Sequence, residues 1–404
     1  MRLGGDHRGL LAVVMAAVML AGACSNGATT PVSKHGAAVT TTTADACASR
    51  PSSPVAGSGA GSGTGTRQSV YVANAQVATA LAWAPDGRLF FAERTGAIKM
   101  ATPAQVTTFA TVPTVTTERG GGYSERGLLG LALSPTFATD HFVYAFYSRQ
   151  DYQTQVLVRF TDCAGVASTP VVLVTFPSGS DCCNKGGRIE FGRDGKLYVT
   201  LGEEHAVVRS TVDNPSSIPQ DPTDVRGKIL RYNPDGTIPA DNPFGATSAV
   251  WATGFRNPYG LAFAPDGTTF VTVNGPTGDI GSPSTGYDLA FRVVAGGRYQ
   301  WPACYGYGHP LGAGSGCLGR PDPEWSSENA TVVPTGAAWV DASGPSGEAG
   351  HFVFCSYTGG MQVFTPGTAH AAVGAGPTAC RYDVVQGPDH ALYFSDDTTI
   401  YRLG

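Results

Sequence analysis

From Val70 to the C-terminus, apolar and polar residues alternate in short runs that stop at tight turns. A period of two places one face of each run in a core and the other outside, which predicts half-buried β-strands. The stretch Ala82-Trp83-Ala84-Pro85-Asp86-Gly87-Arg88-Leu89-Phe90-Phe91 sets the pattern. It returns as Phe191-Gly192-Arg193-Asp194-Gly195-Lys196-Leu197-Tyr198-Val199 and as Phe263-Ala264-Pro265-Asp266-Gly267. A further copy is Gly387-Pro388-Asp389-His390-Ala391-Leu392-Tyr393-Phe394, and a looser one runs from Leu133-Ser134-Pro135 into Phe142–Phe146. Each copy reads as a strand, a tight turn and a second strand. No convincing helix-period segment interrupts them.

Copies begin near Pro85, Pro135, Arg193, Pro265 and Pro388, and the last interval leaves room for one more unit. The strand-like segments Gly336–Val340 and His351–Phe364 fill it. Six units spaced roughly 50 to 75 residues apart predict an all-β, six-bladed β-propeller with long inserted loops. The competing reading is a pair of β-sandwiches with coincidental Asp-Gly turns.

Composition narrows the picture further. The 404 residues include 54 Gly and 28 Pro with 14 % charged residues, which excludes a helical bundle, and the glycines lack the collagen period. At 42 % hydrophobic the chain can bury a large core. A net charge of −5 argues against nucleic acid as a partner, since a binder of phosphate backbones usually carries a basic face.

The N-terminus carries a different pattern. Arg2 and Arg8 precede an apolar run from Leu10 to Ala23, too short for a comfortable membrane span and typical of a signal peptide over residues 1–23. Ala21-Gly22-Ala23 has the form of an ordinary cleavage site, whereas Leu20–Cys24 resembles a bacterial lipobox with Cys24 as the lipidated residue. Cysteine parity favours lipidation: nine cysteines less Cys24 leave eight that can pair in an oxidising compartment. The expected location is the outer face of the cell membrane, held by a lipid anchor; the alternative is free secretion. Cleavage removes Arg2, Arg8 and Asp6, two positive charges and one negative, leaving −6. Residues 24–69 are rich in Thr, Ser and Gly and read as a flexible tether to a domain at 70–404. Cys47 could pin that tether to the domain.

Five stretches in chain order resemble the soluble glucose/sorbosone dehydrogenases. They are Glu125–Pro135, Gly186-Gly187-Arg188-Ile189 continuing to Gly202-Glu203, Gly227–Arg231, Gly254-Phe255-Arg256-Asn257-Pro258-Tyr259-Gly260-Leu261, and Gly275-Pro276 with Tyr299-Gln300-Trp301-Pro302. The resemblance implies a six-bladed propeller that uses pyrroloquinoline quinone (PQQ) and calcium to oxidise the C1 hydroxyl of aldoses. It implies that Arg256 and Asn257 contact PQQ, that Glu125 lines its pocket, and that the carbonyls of Gly275 and Pro276 hold calcium, an ion that prefers oxygen ligands.

The resemblance also implies a histidine two residues before the Gly-Gly-Arg stretch, acting as the proton acceptor. Here Asn184 stands in that place, while Glu203 keeps the acidic partner. Lys185 is adjacent, but strand alternation directs it elsewhere. His205 is a candidate replacement base, though a surface histidine after a strand end is the more ordinary reading. The Arg-x-Arg-Asp stretch of the family reads Cys380-Arg381-Tyr382-Asp383, and Thr358 replaces a pocket lysine. PQQ has three carboxylates, so these losses weaken its binding. Two functions follow: a divergent propeller that binds a small-molecule ligand of sugar type or a partner without normal oxidation, or a working PQQ- and calcium-dependent aldose dehydrogenase with a rearranged base.

Among the cysteines, Cys304 and Cys317 flank a Gly-rich loop and form the leading disulfide pair. Cys355 and Cys380 are a second pair. Cys47, Cys163, Cys182 and Cys183 remain to pair among themselves, with connectivity open. Adjacent cysteines lack the usual zinc spacing, so metal binding through Cys182 and Cys183 is disfavoured.

Overall fold

A computed structural model describes Cys47 and residues 68–404 apart from 180–181, 208–212, 215–216, 313–315 and 368–372. The signal segment 1–23, Cys24 and nearly all of the tether lie outside the described residues. Among the described residues, six four-stranded antiparallel sheets form the blades of a propeller. The first comprises Ala78–Trp83, Leu89–Glu93, Ala97–Ala101 and Val106–Thr111. The second runs from Leu128–Leu133 outward to Val171–Pro177, and the third from Gly186–Phe191 to Val250–Thr253. The fourth runs from Asn257–Phe263 to Trp325–Ser326, and the fifth from Pro334–Trp339 to Val373–Ala375. The sixth takes Val384–Gln386, Leu392–Ser395 and Thr399–Leu403 from the C-terminus, and Gln68–Ala73 supplies its outermost strand. Gln68 pairs with Leu403 and Ala73 with Thr399, so the two ends of the domain zip the ring shut.

The repeated turns all join the innermost strand of a blade to its neighbour. Gly87, Gly195 and Gly267 donate back to the carbonyls of Ala84, Gly192 and Ala264 at 3.0 Å. The aspartate of each turn accepts the amide two residues on: Asp86 from Arg88, Asp194 from Lys196, Asp266 from Thr268 and Asp389 from Ala391. The glycine after it sits at positive φ, +70° at Gly195, where a Cβ would be strained. In the last copy His390 takes that place at φ 63°.

Aromatic and branched side chains fill the spaces between blades, as where Phe90, Phe109, Phe137 and Phe160 meet between the first two. At particular glycines neighbouring inner strands approach too closely for a side chain. A Cβ on Gly260 would stand 2.3 Å from the Thr335 carbonyl. Hydroxyls stitch neighbouring blades there, Thr79 Oγ1 donating to Leu128 O at 2.7 Å and Ser395 Oγ to Ala78 O at 2.7 Å. Arg188 on the third blade and Asp383 before the sixth pair across the centre, and Asp383 also accepts the Leu81 amide at 2.7 Å.

Four disulfides are present among the described residues. Cys304–Cys317 and Cys355–Cys380 form as expected. The open set resolves into Cys47–Cys163, which ties the tether to the second blade, and the adjacent pair Cys182–Cys183.

Candidate functional site

Five inner strands carry a bulge or register shift near their first residues, at the mouth of the ring opposite the Asp-Gly turns. Residues just before or within these starts converge from all the blades. A cavity of about 360 Å³ opens there, lined by Asn184, Arg256, Asn257, Gly275 and Pro276 among others. A second of about 120 Å³, reaching Thr79, Leu129, Tyr259 and Tyr382, shares Tyr123, Glu125, Asn257 and Asn274 with it.

The structure brings the sequence-predicted residues together. Asn184 is buried and its Nδ2 donates to Glu203 Oε1 at 2.9 Å. The chain turns there at φ 54°, and Gly202 lies so close that a Cβ would stand 1.9 Å from the Asn184 carbonyl. Glu203 also accepts the amides of His205 and Val207, each at 3.1 Å. Burial raises its pKa, with the charge of Arg256 opposing. Glu125 Oε2 accepts the Lys185 amide at 3.1 Å and Asn257 Nδ2 at 3.2 Å. Burial likewise pushes the Glu125 carboxyl up. Asn257 Oδ1 accepts the Gly186 amide at 3.0 Å, which locks the second and third strand starts to the fourth.

Arg256 is fully committed. Its Nε meets Asp279 at 3.0 Å, Nη1 donates to the Gly275 carbonyl at 2.7 Å and Nη2 to Thr277 Oγ1 at 3.1 Å. Burial opposes ionisation of Asp279, but Arg256 outweighs it and holds the carboxyl below its usual range. The Gly275-Pro276 turn is fixed from behind by Asp288, which accepts the amides of Gly275, Val332 and Val333 at 2.8 Å each. The two turn carbonyls suit a hard cation in type. A guanidinium already bound to one of them opposes a divalent ion at the same oxygen.

Lys185 points away from the cavity as expected, but the turn at Asn184 directs it, because the strand begins only at Gly186. Its Nζ pairs with Glu204 Oε1 at 3.2 Å and bonds the Gly179 carbonyl at 3.2 Å. His205 differs from the surface reading: it lines the larger cavity, and one ligand atom each of Glu203, His205 and Asp279 lie within 4.8 Å of one another. The positive φ at Glu204 and His205 bends the chain back toward the mouth. Arg381 faces outward to Asp397 and the Tyr357 carbonyl, whereas Tyr382 lines the inner cavity. Thr358 is exposed and bonds the Val332 carbonyl.

Several site residues escaped the sequence reading. Arg94 lines the inner cavity, but its guanidinium is spent on the carbonyls of Thr116, Ser124 and Arg126. Asp279 and Asp288 lie in a long loop and a strand approach without a motif. Asn274 was the one within reach, standing immediately before Gly275.

Comparison with known proteins agrees with this geometry. Residues 75–351 match the Glucose / Sorbosone dehydrogenase family model. The chain is 30 % identical over 266 residues to quinoprotein glucose dehydrogenase B of Acinetobacter calcoaceticus, covering 59 % of this chain and 53 % of that protein. The chain thus spans about half of that relative's length. An oxidoreductase (glucose dehydrogenase) of Thermus thermophilus superposes with a TM-score of 0.71 at 28 % identity, covering 84 % of this chain and all of that one. The PQQ-bound aldose sugar dehydrogenase of Streptomyces coelicolor gives 0.65 at 25 % identity, covering 84 % and 98 %. With the family model matching well over half of its residues and the same ring of six blades, this chain belongs to the glucose/sorbosone dehydrogenase family.

Proposed function

We propose that this protein binds a neutral, polyhydroxyl small molecule of the sugar class at the mouth of the propeller without the family's base-assisted oxidation. The observation that carries the reading is the Asn184 amide donating to Glu203. An amide nitrogen has no basic lone pair, so this position cannot accept the hydroxyl proton that must leave as hydride departs. The cavity walls supply amides and hydroxyls instead, from Asn184, Asn257, Asn274, Thr277, Ser284 and Thr331. Such donors and acceptors suit a sugar ring, and the named relatives act on glucose and aldoses.

Charge argues the same way. PQQ would bring quinone chemistry for taking up a hydride, and its three carboxylates need cations. Arg256 is neutralised by Asp279, Arg94 is spent on carbonyls, and Glu125 places a buried carboxyl in the wall. The residues present do not fit a trianion. What they do is orient a ligand: Asp288 fixes the Gly275-Pro276 turn, and Asn257 holds the floor.

The test adds PQQ and calcium to purified protein, then follows quinone absorbance and dye reduction with a panel of aldoses, beside calorimetry with the same sugars alone. Sugar binding without turnover is expected. Tight PQQ binding with turnover would overturn the reading. His205 supports the second reading, an active PQQ- and calcium-dependent aldose dehydrogenase, because it lines the cavity beside Glu203 and Asp279. In that case His205→Ala abolishes turnover and Asn184→His raises it. Export and anchoring through Cys24 belong to the same proposal; fatty-acid labelling that persists in Cys24→Ala would refute the anchor.

A further inference from the structure

The Cys182–Cys183 disulfide borders the cavity, with Cys183 in its wall, and neither the ring's stability nor the ligand reading accounts for it. Glu125 brackets this segment from both sides. Its amide donates to the Cys182 carbonyl at 2.8 Å, and its carboxylate accepts the Lys185 amide at 3.1 Å. Ser124 Oγ adds a second bond to the Cys182 carbonyl at 3.2 Å. Between those clamps lies Asn184, whose carbonyl accepts the Glu204 amide at 3.2 Å and whose side chain meets Glu203. The amide wall therefore hangs on a few residues whose backbone freedom a small covalent ring removes. Cys182 and Cys183 are half-buried, whereas Cys355 and Cys380 are fully buried.

We propose that Cys182–Cys183 is a thiol–disulfide exchange site whose co-substrate is a dithiol, and that its redox state sets the order of the Asn184 wall. A thiolate of the dithiol attacks one sulfur, the S–S bond breaks and a mixed disulfide forms. The second thiol then displaces the protein sulfur. The dithiol ends as a disulfide, and Cys182 and Cys183 end as thiols carrying the two protons it gave up. Opening the ring restores rotation between the two Glu125 clamps, so the oxidised wall is ordered and the reduced wall loosens. No particular ligand is required, so failure of the sugar reading leaves the exchange site untouched.

The test uses the intact protein under graded dithiothreitol. Alkylation and mass spectrometry report which bridges have opened, and amide hydrogen exchange is read at Glu125, Lys185, Gly186 and Glu204. When Cys182–Cys183 has opened and Cys355–Cys380 has not, these amides exchange about tenfold faster or more, the inner-strand amides of the fifth blade are unchanged, and reoxidation restores protection. The Cys182→Ser/Cys183→Ser double variant exchanges fast from the start and gains nothing on reduction. Unchanged exchange once this bridge is open would overturn the proposal. So would a bridge that resists the dithiol until Cys355–Cys380 has also opened. The wild-type measurement decides the matter even where the double variant fails to fold.

Discussion

Replacing Arg188 with Met tests how the ring is held at its axis. Arg188 and Asp383 are 3 % and 0 % exposed, and the Arg188 Nη1 to Asp383 Oδ2 distance is 2.9 Å in a two-pronged pair. Methionine keeps the unbranched apolar stem and removes the guanidinium charge. Asp383 is then left buried with the Leu81 amide, its own amide contact to Ser395 Oγ giving no compensation. Breaking one side of such a pair costs about 3–5 kcal/mol, which for a domain this size lowers the Tm by roughly 4–7 °C. Guanidinium denaturation with an unchanged m-value measures it. The pH dependence checks the cause. Burial already raises the Asp383 pKa, and loss of Arg188 raises it further. The native state then binds the proton more tightly than the unfolded chain, so the deficit is largest at neutral pH and shrinks as pH falls through the folded pKa. The double variant Arg188→Met/Asp383→Leu recovers most of the loss, since no uncompensated charge remains. A single-variant deficit below about 1 kcal/mol, or one that grows on acidification, would refute the reasoning.

Other consequences follow from the same contacts. Gly202→Ala sets a methyl group 1.9 Å from the Asn184 carbonyl, so the protein loses more than about 3 kcal/mol or fails to accumulate in soluble form, read by denaturation and expression yield. Asn184→Asp faces Glu203 with a second carboxylate; stability at pH 7 falls by about 2 kcal/mol and recovers on acidification as the pair takes up a proton, checked by urea titration over a pH series. Burial raises the Glu190 pKa to about 7, so its contribution is fully present below its unfolded value of 4.5 and is lost as pH rises through 7. Glu190→Gln should therefore flatten the stability profile between pH 5 and 8 by on the order of 2 kcal/mol, and an unchanged slope would count against it.

Much of the fold was legible because its repeat is chemically local. An aspartate that accepts the amide two residues on, followed by a glycine at positive φ, closes the same turn wherever it occurs. That is why blades could be counted from Pro85, Arg193 and Pro265, and why the fifth, with its longer link from Trp339 to Phe352, needed strand pattern instead. The strand Gln68–Ala73 was harder, because its partner lies at the far end of the chain. Within the site, Arg256-Asn257 and Gly275-Pro276 were readable as contiguous motifs. Lys185 does point away from the cavity to a buried partner, Glu204, but a turn of positive-φ residues around it sets that direction and not strand alternation.

By itself the sequence determined a six-unit β ring and an amide where the family places a base, and it offered Cys304–Cys317 and Cys355–Cys380 as candidate pairs that the structure then formed. Ring closure decided the rest, since it sets residues far apart in the chain within hydrogen-bond reach. It turned His205 toward the mouth, spent Arg256 on Asp279 and a turn carbonyl, and seated Asp288 behind that turn. It also left Cys182 and Cys183 to bond each other, because the competing sulfurs of Cys47 and Cys163 meet elsewhere on the ring. Local hydrogen bonding writes strands and turns into adjacent residues, whereas the charge balance of a central cavity is a sum over six blades that no single stretch contains.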